Sequence, residues 1–295
     1  MSRTWNTRLV IGAIPAAAAV MASLMLLSPR PVAPGELLPD LVELASGSFQ
    51  YRLGGDFTRG GRPAAAPIVA AITHAFAVMR HQVTVGEYRR CVDAGACRRG
   101  DEASAADVPM VKISWWDAAG YAAWLSRSTG MSFRLPSDEE WVYVAGSRFR
   151  DSERPRGIDS RDPGKRALDR YEQETAIRNE TDPEPRPVGH FGANEHGLLD
   201  VAGNVWEWTD SCFARGIIDA DGEPSTTTVD CGVRVVEGRH RTYLTDFIRD
   251  ARAGGCTAGL PPSNLGFRLV LDDDWRGRLR AFADRVKRAL TDRTI

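Results

Sequence analysis

Nothing in the 295 residues spells a nucleotide-binding or hydrolase signature: there is no P-loop, no nucleophile elbow and no dinucleotide fingerprint. Positive charge is not in excess. Thirty-eight Lys and Arg stand against 39 Asp and Glu, a formal net charge of −1. That removes the electrostatic case for a nucleic-acid partner, which needs a basic face. Histidine is confined to His74, His81, His190, His196 and His240, none spaced for a facial iron triad. Cysteine is confined to Cys91, Cys97, Cys212, Cys231 and Cys256. Without a C-x-x-C or a nearby His pair, these do not read as a zinc site. No internal repeat is present.

The first thirty residues differ from the rest. Arg3 and Arg8 precede Leu9 to Leu27, an uncharged run of Ala, Leu, Val and Met long enough to span a bilayer. Basic residues on its N-terminal side keep that side in the cytoplasm. Residues 1–28 read as a transmembrane anchor in the inner membrane, with a cleaved secretory signal as the alternative. No clean A-x-A site precedes a small residue near Ser28, and the run is long for a signal. Either way the bulk of the chain is expected in the periplasm, membrane-held or soluble.

In an oxidising compartment cysteines pair. Cys91 and Cys97 flank Asp93-Ala94-Gly95, where a helix ends, and Cys212 and Cys231 bracket a polar loop with Asp219, Asp221, Gly222 and Pro224. Disulfides Cys91–Cys97 and Cys212–Cys231 are therefore expected, with Cys256 left over. The second would stabilise by about 3 kcal/mol on the chain-entropy model.

Residues 29–40, rich in proline, read as a linker. Leu41–Leu44 and Gly47–Tyr51 read as strands, and Ile72–Val78 as another. Thr84 is placed to cap a helix through Glu87, Tyr88 and Cys91. Val111–Ser114 reads as a short strand. Ser114 starts a helix with Ala118, Tyr121, Ala122 and Leu125 on one face, ended by Gly130. Ser137-x-x-Glu140 is a capping box. Residues 147–187 are polar and irregular, and Phe267–Leu271 reads as a last strand. Beyond it, Trp275, Leu279, Phe282, Val286 and Leu290 recur at helical spacing, so 272–295 reads as a C-terminal helix. Periodicity alone gives a mixed, loop-rich chain.

Three segments say more. Gly197-Leu-Leu-Asp-Val-Ala-Gly-Asn-Val-Trp-Glu-Trp208 crowds two Trp, a Glu and an Asn round a glycine turn. Arg134-Leu-Pro-Ser-Asp-Glu-Glu-Trp141 stands upstream and Asn264-Leu-Gly-Phe-Arg268 downstream. In that order they resemble the formylglycine-generating enzyme (sulfatase-modifying factor) family, over roughly residues 41–271. The resemblance implies an α+β, C-type-lectin-like fold with little regular secondary structure.

It also implies a structural Ca²⁺ held by the Asp200 carboxylate with the carbonyls of Val201, Gly203 and Val205, hard oxygen donors of the kind Ca²⁺ takes. A metal-free turn in which Asp200 accepts backbone amides is the competing reading. Trp206, the first of its pair, is implied to line the substrate cleft.

Family members that oxidise cysteine to formylglycine bind Cu(I) through two thiolates shortly after an Arg-Val-x-x-Gly-Gly-Ser-aromatic motif. Here that stretch is Arg234-Val-Val-Glu-Gly-Arg-His-Arg-Thr-Tyr243, with His240 at the Ser position and Tyr243 where the first copper ligand would stand. No cysteine lies between Cys231 and Cys256, so no copper is expected. The groove candidates are Trp206, His240, Arg241, Tyr243 and Cys256.

The expected function is an exported, membrane-tethered binding or accessory module for a polypeptide partner. Glu237 to Tyr243 with Arg249-Asp-Ala-Arg252 and Gly255-Cys256 is similar to a branch found beside copper nitrite reductases, which makes such a redox enzyme a candidate partner. The alternative is an oxidoreductase of this family with altered chemistry.

Overall fold

Hydroxyl residues set three helices among the described residues. Thr84, Ser114 and Ser137 each accept the amide three residues on, and Glu87, Asp117 and Glu140 return a carboxylate to the cap amide. The helices are α1 (Val85–Asp93), α2 (Trp115–Thr129) and α3 (Asp138–Ala145). Gly130 closes α2 at φ 71°, a left-handed cap that glycine takes without steric cost. The computed structural model describes residues 37–100, 105–150, 162, 164–165, 168, 184–239, 241–250 and 264–271. The expected anchor, most of the linker and the C-terminal helix lie outside these. Among the described residues no helix is long and apolar enough to cross a membrane.

Among the described residues twelve strands complete the α+β fold. They are β1 (Leu41–Leu44), β2 (Gly47–Arg52), β3 (Asp56–Arg59), β4 (Arg62–Ala64), β5 (Ile68–Thr73), β6 (Phe76–Met79), β7 (Phe133–Arg134), β8 (Trp206–Ile218), β9 (Pro224–Glu237), β10 (Thr242–Thr245), β11 (Leu265–Gly266) and β12 (Val270–Leu271). One sheet runs β1-β6-β12-β7, a second runs β10-β9-β8-β3-β4 with β11 beside β8, and β2 pairs β5. The expected strand Ile72–Val78 is in fact two, broken at His74-Ala75, so that β5 pairs β2 while β6 pairs β1. Val111–Ser114 is not a strand: Lys112 sits at φ 58°, which no ladder accommodates. The expected last strand, Phe267–Leu271, shortens to β12, and β11 precedes it.

Between Cys212 and Cys231 the polar stretch is the tip of a long hairpin, β8 against β9. Both expected disulfides form, with Cα atoms 5.2 Å apart at Cys91–Cys97 and 4.5 Å at Cys212–Cys231. The second sits where the hairpin register shifts, between the Cys212↔Arg234 and Phe213↔Asp230 pairs.

The main core gathers α1 and α2 against β6, β8 and the last strands, through Tyr88, Tyr121, Leu125, Trp208, Phe267 and Leu269. Each such side chain contributes roughly 1.5–3 kcal/mol on burial. The indole N–H of Trp208 donates to the Ile113 carbonyl at 3.0 Å, so the ring is buried without an orphaned donor.

Candidate ligand-binding site

The three marker segments converge on one carboxylate. Glu207, on β8, accepts Arg268 Nε at 2.6 Å and Nη2 at 2.8 Å, Trp141 Nε1 at 2.9 Å and Gln82 Nε2 at 2.8 Å. Glu207 and Arg268 are both fully buried. Arg268 also donates to the Leu199 carbonyl at 3.1 Å, reaching the turn that leads into β8. A buried pair is tolerable only when its remaining donors and acceptors are matched, and these are. Parallel pairing of Leu265 with Trp206 and Gly266 with Glu207 brings the downstream segment alongside.

The turn before β8 is backbone-strained at alternate positions. Asp200, Ala202 and Asn204 have φ of 56°, 55° and 61°. Asp200 is buried, and its two carboxylate oxygens accept the Gly189 N–H at 2.5 Å and the Phe191 N–H at 2.7 Å. Asn204 grips Arg186 from both sides, its amide donating to the Arg186 carbonyl and its oxygen accepting the Arg186 N–H, each at 2.9 Å. Arg148 Nη2 donates to the carbonyls of Phe191 and Ala193 at 3.1 and 2.9 Å. Residues 186–193 are thus tied to the turn and to the short 3₁₀ turn Gly146–Arg148 after α3.

These ties frame a cavity of about 490 Å³. The Val201–Trp206 turn, Phe191 and His190 form its floor and wall, and Arg148, Arg150, Arg186 and Arg239 line it. Trp206 is in place because Gly238 is a glycine: a Cβ there would stand 2.6 Å from the indole. Trp206 and Trp208, two residues apart on β8, share a face of the strand and one core cluster, and of the two Trp206 also borders the cavity.

Arg241 and Tyr243 are not brought to this cavity. They belong to a second, buried cluster in which Tyr51 donates to Asp138 Oδ2 at 2.5 Å. Arg241 Nε donates to Glu237 Oε1 at 2.6 Å, its Nη2 lies 3.2 Å from Asp138 Oδ2, and its Nη1 donates to the Arg52 carbonyl at 2.9 Å. The Tyr243 hydroxyl accepts the Gly55 N–H at 2.6 Å, and its ring packs edge-on against Phe213. The cluster holds two carboxyls for one guanidinium. Burial pushes the Glu237 carboxyl well above its ordinary range, Arg241 pulls it down, and Asp138 pushes it up again. The geometry agrees with that direction, since Glu237 Oε2 and Asp138 Oδ1 are both buried with no hydrogen-bond partner. Burial, then the Asp138 charge, likewise hold the Tyr51 phenol neutral. For Arg241 burial works against the charge, but Asp138 and Glu237 together raise its pKa. His240 and Cys256 lie outside the described residues.

Sequence reasoning missed Tyr51, Asp138 and the cavity arginines. Asp138 stood inside a recognised segment but was read as part of a helix start. The arginines are spread from 148 to 239 and form no local motif.

The donor sets can be tested against the two metals that the resemblance implies. Cu(I) needs two soft thiolates. Four of the five cysteines are in disulfides, and Tyr243 offers a phenol that already accepts an amide. The described residues do not fit copper. At the Asp200 turn the bonds of the metal-free reading are formed, to the Gly189 and Phe191 amides. Its buried carboxylate pairs with no cationic side chain among the described residues, and each oxygen, having accepted one amide, keeps a lone pair.

Residues 29–273 match the family described as "Sulfatase-modifying factor enzyme 1-like domain". The chain is 29% identical over 178 residues to the formylglycine-generating enzyme of Bos taurus, a match covering 56% of this chain and 44% of that protein. It is 29% identical over 243 residues to the Mycobacterium tuberculosis enzyme of that name, covering 60% and 75% respectively. To the inactive C-alpha-formylglycine-generating enzyme 2 of Mus musculus it is 32% identical over 176 residues, covering 56% and 49%. The chain therefore spans less than half the length of the bovine relative. Among solved structures, PvdO from Pseudomonas aeruginosa aligns with a TM-score of 0.51 at 22% identity, over 83% of this chain and 99% of that one, a likeness of fold. With the family matched from residue 29 to 273 and its three marker segments meeting at Glu207, the chain belongs to the sulfatase-modifying factor family, that of the formylglycine-generating enzymes.

Proposed function

We propose that this protein is an exported, membrane-tethered binding module that receives a polypeptide at the Trp206 cavity without oxidising it. It serves as an accessory or maturation factor for an exported redox enzyme, with a copper nitrite reductase as the candidate partner. The observation that carries the reading is Tyr243. It stands where the family's first copper thiolate is expected, and its hydroxyl is committed to the Gly55 amide. The chain keeps the Trp206 cavity and, apart from it, has a phenol where the thiolate is expected, which supports binding without the redox step. The disulfides support export, since such bonds persist in oxidising compartments. Calcium at Asp200, with the Val201, Gly203 and Val205 carbonyls, belongs to the same proposal as a brace for the cavity floor.

The test is direct. Full-length protein in detergent is incubated with Cu(I), oxygen and a sulfatase-type cysteine peptide, and the peptide is followed by mass spectrometry. The expected result is an unchanged cysteine. Turnover to the aldehyde that disappears in Cys256→Ser would establish the oxidoreductase reading instead. An alkaline phosphatase fusion after Ile295 tests export, and an inactive fusion would overturn it. A pull-down from membranes, with a redox enzyme as the expected catch, tests the partner.

A further inference from the structure

We infer that the Trp206 cavity selects acidic polypeptide segments, an inference that rests on the binding function proposed above and names its ligand class. The cavity is lined by Arg148, Arg150, Arg186 and Arg239 with His190, and none of its described lining residues is Asp or Glu. In a chain of formal net charge −1 this is a local concentration of one sign. A concave site of one sign focuses its potential and draws in the opposite charge. Guanidinium forks match carboxylates bidentately, with a geometry that a lysine patch does not offer.

The lining is held ready for a ligand. Arg186 is fixed through its backbone by Asn204, Arg148 through its Nη2 by two carbonyls, and the His190-Phe191 wall by Asp200. Pre-organisation of this kind lowers the ordering cost of binding. The volume, about 490 Å³, falls in the range of ordinary ligand sites. A lone inorganic phosphate would leave most of it empty. Neighbouring acidic side chains on a peptide backbone would fill it, with the exposed Phe191 offering an aromatic face to the intervening apolar groups.

The experiment uses full-length protein in neutral detergent and fluorescent peptides that alternate Glu with Ala around one Phe. Counterparts carry Gln or Lys in place of Glu. The expected result is that the Glu peptide binds, with affinity rising as salt is lowered. The Gln and Lys peptides are expected to be weaker by at least about tenfold, as is the Glu peptide against Arg150→Glu or Arg239→Glu. Arg150 is exposed, so its variant is expected to keep the wild-type unfolding midpoint and to separate lost binding from lost fold. Equal binding of the Glu and Gln peptides would overturn the charge selection and leave the binding module standing. Binding of no peptide would overturn both. Inorganic phosphate that competes mole for mole with the Glu peptide would show a small-anion site and overturn the peptide assignment.

Discussion

Arg268 and Glu207 form a bidentate ion pair from which water is wholly excluded, at 2.6 and 2.8 Å. The pair joins the segment between β11 and β12 to the start of β8, and Trp141 adds α3 to the same carboxylate. Removing one partner of such a pair leaves a buried charge, at a cost of about 3–5 kcal/mol. Arg268→Met alone is therefore expected to lower the unfolding free energy by that amount in denaturant titration. Glu207→Leu with Arg268→Met is expected to cost less than the two singles summed. Additive losses would mean that the two residues act independently.

The Glu237 carboxyl gives a pH signature. Its folded pKa is raised, chiefly by burial, above the ordinary glutamate value of 4.5. Above that value the folded state holds a proton that the unfolded state has lost, so stability falls as pH rises toward the folded pKa. Glu237→Gln removes this loss. The stability of the variant minus that of wild type is expected to grow by up to about 1.4 kcal/mol per pH unit from pH 4.5 until the folded pKa is reached. Parallel curves would show that burial does not raise the Glu237 pKa in the folded state.

Local chemistry was legible in the sequence, and long-range pairing was not. The caps at Thr84, Ser114 and Ser137 act over three residues, and all three formed as their side chains dictate. The hairpin β8–β9 escaped notice because residues 226–232 of β9 are exposed on both faces, so no hydrophobic alternation marks them. The Val111–Ser114 segment looked like a strand by composition, but its backbone turns at Lys112. Glu207 was visible as part of a marker segment, whereas its partners Gln82, Trp141 and Arg268 lie between 61 and 125 residues away. The cavity was half legible: Trp206 and the Asp200 turn stood out, but only folding brings Arg148 and Arg239 to them.

The Cys212–Cys231 disulfide ties the long hairpin where its register shifts. The exposed outer half of β9 buries little apolar surface to hold it, so the covalent link is expected to matter. Replacing both cysteines by serine is expected to cost about 3 kcal/mol and to loosen amide protection from Thr226 to Val233. Arg234 donates to the Cys212 sulfur at 3.4 Å and stacks 3.8 Å over Trp115, so the cation–π contact should persist and limit the damage to the tip. Exchange spreading into Val235 and Val236 would show that the disulfide holds the core of the sheet as well.

Asp200 carries two separable contributions. Its carboxylate accepts the Gly189 and Phe191 amides, and Asp200→Ala leaves both donors unmatched at about 1–3 kcal/mol each. That loss is expected with EDTA present. Calcium adds to it only where the carboxylate survives. At a hundredfold excess over its dissociation constant, calcium bound at the proposed site is expected to raise wild-type stability by about 2.7 kcal/mol. In a domain of this size that is roughly 5–10 °C in the unfolding midpoint. Magnesium is expected to do less, because it demands a tighter octahedral shell than an irregular carbonyl turn provides. Calorimetry of wild type and Asp200→Ala, each with EDTA, Ca²⁺ and Mg²⁺, checks every step. A calcium shift in wild type that vanishes in the variant is the expected pattern. A wild-type midpoint indifferent to calcium, with Asp200→Ala still destabilised, would show that the carboxylate serves the Gly189 and Phe191 amides alone.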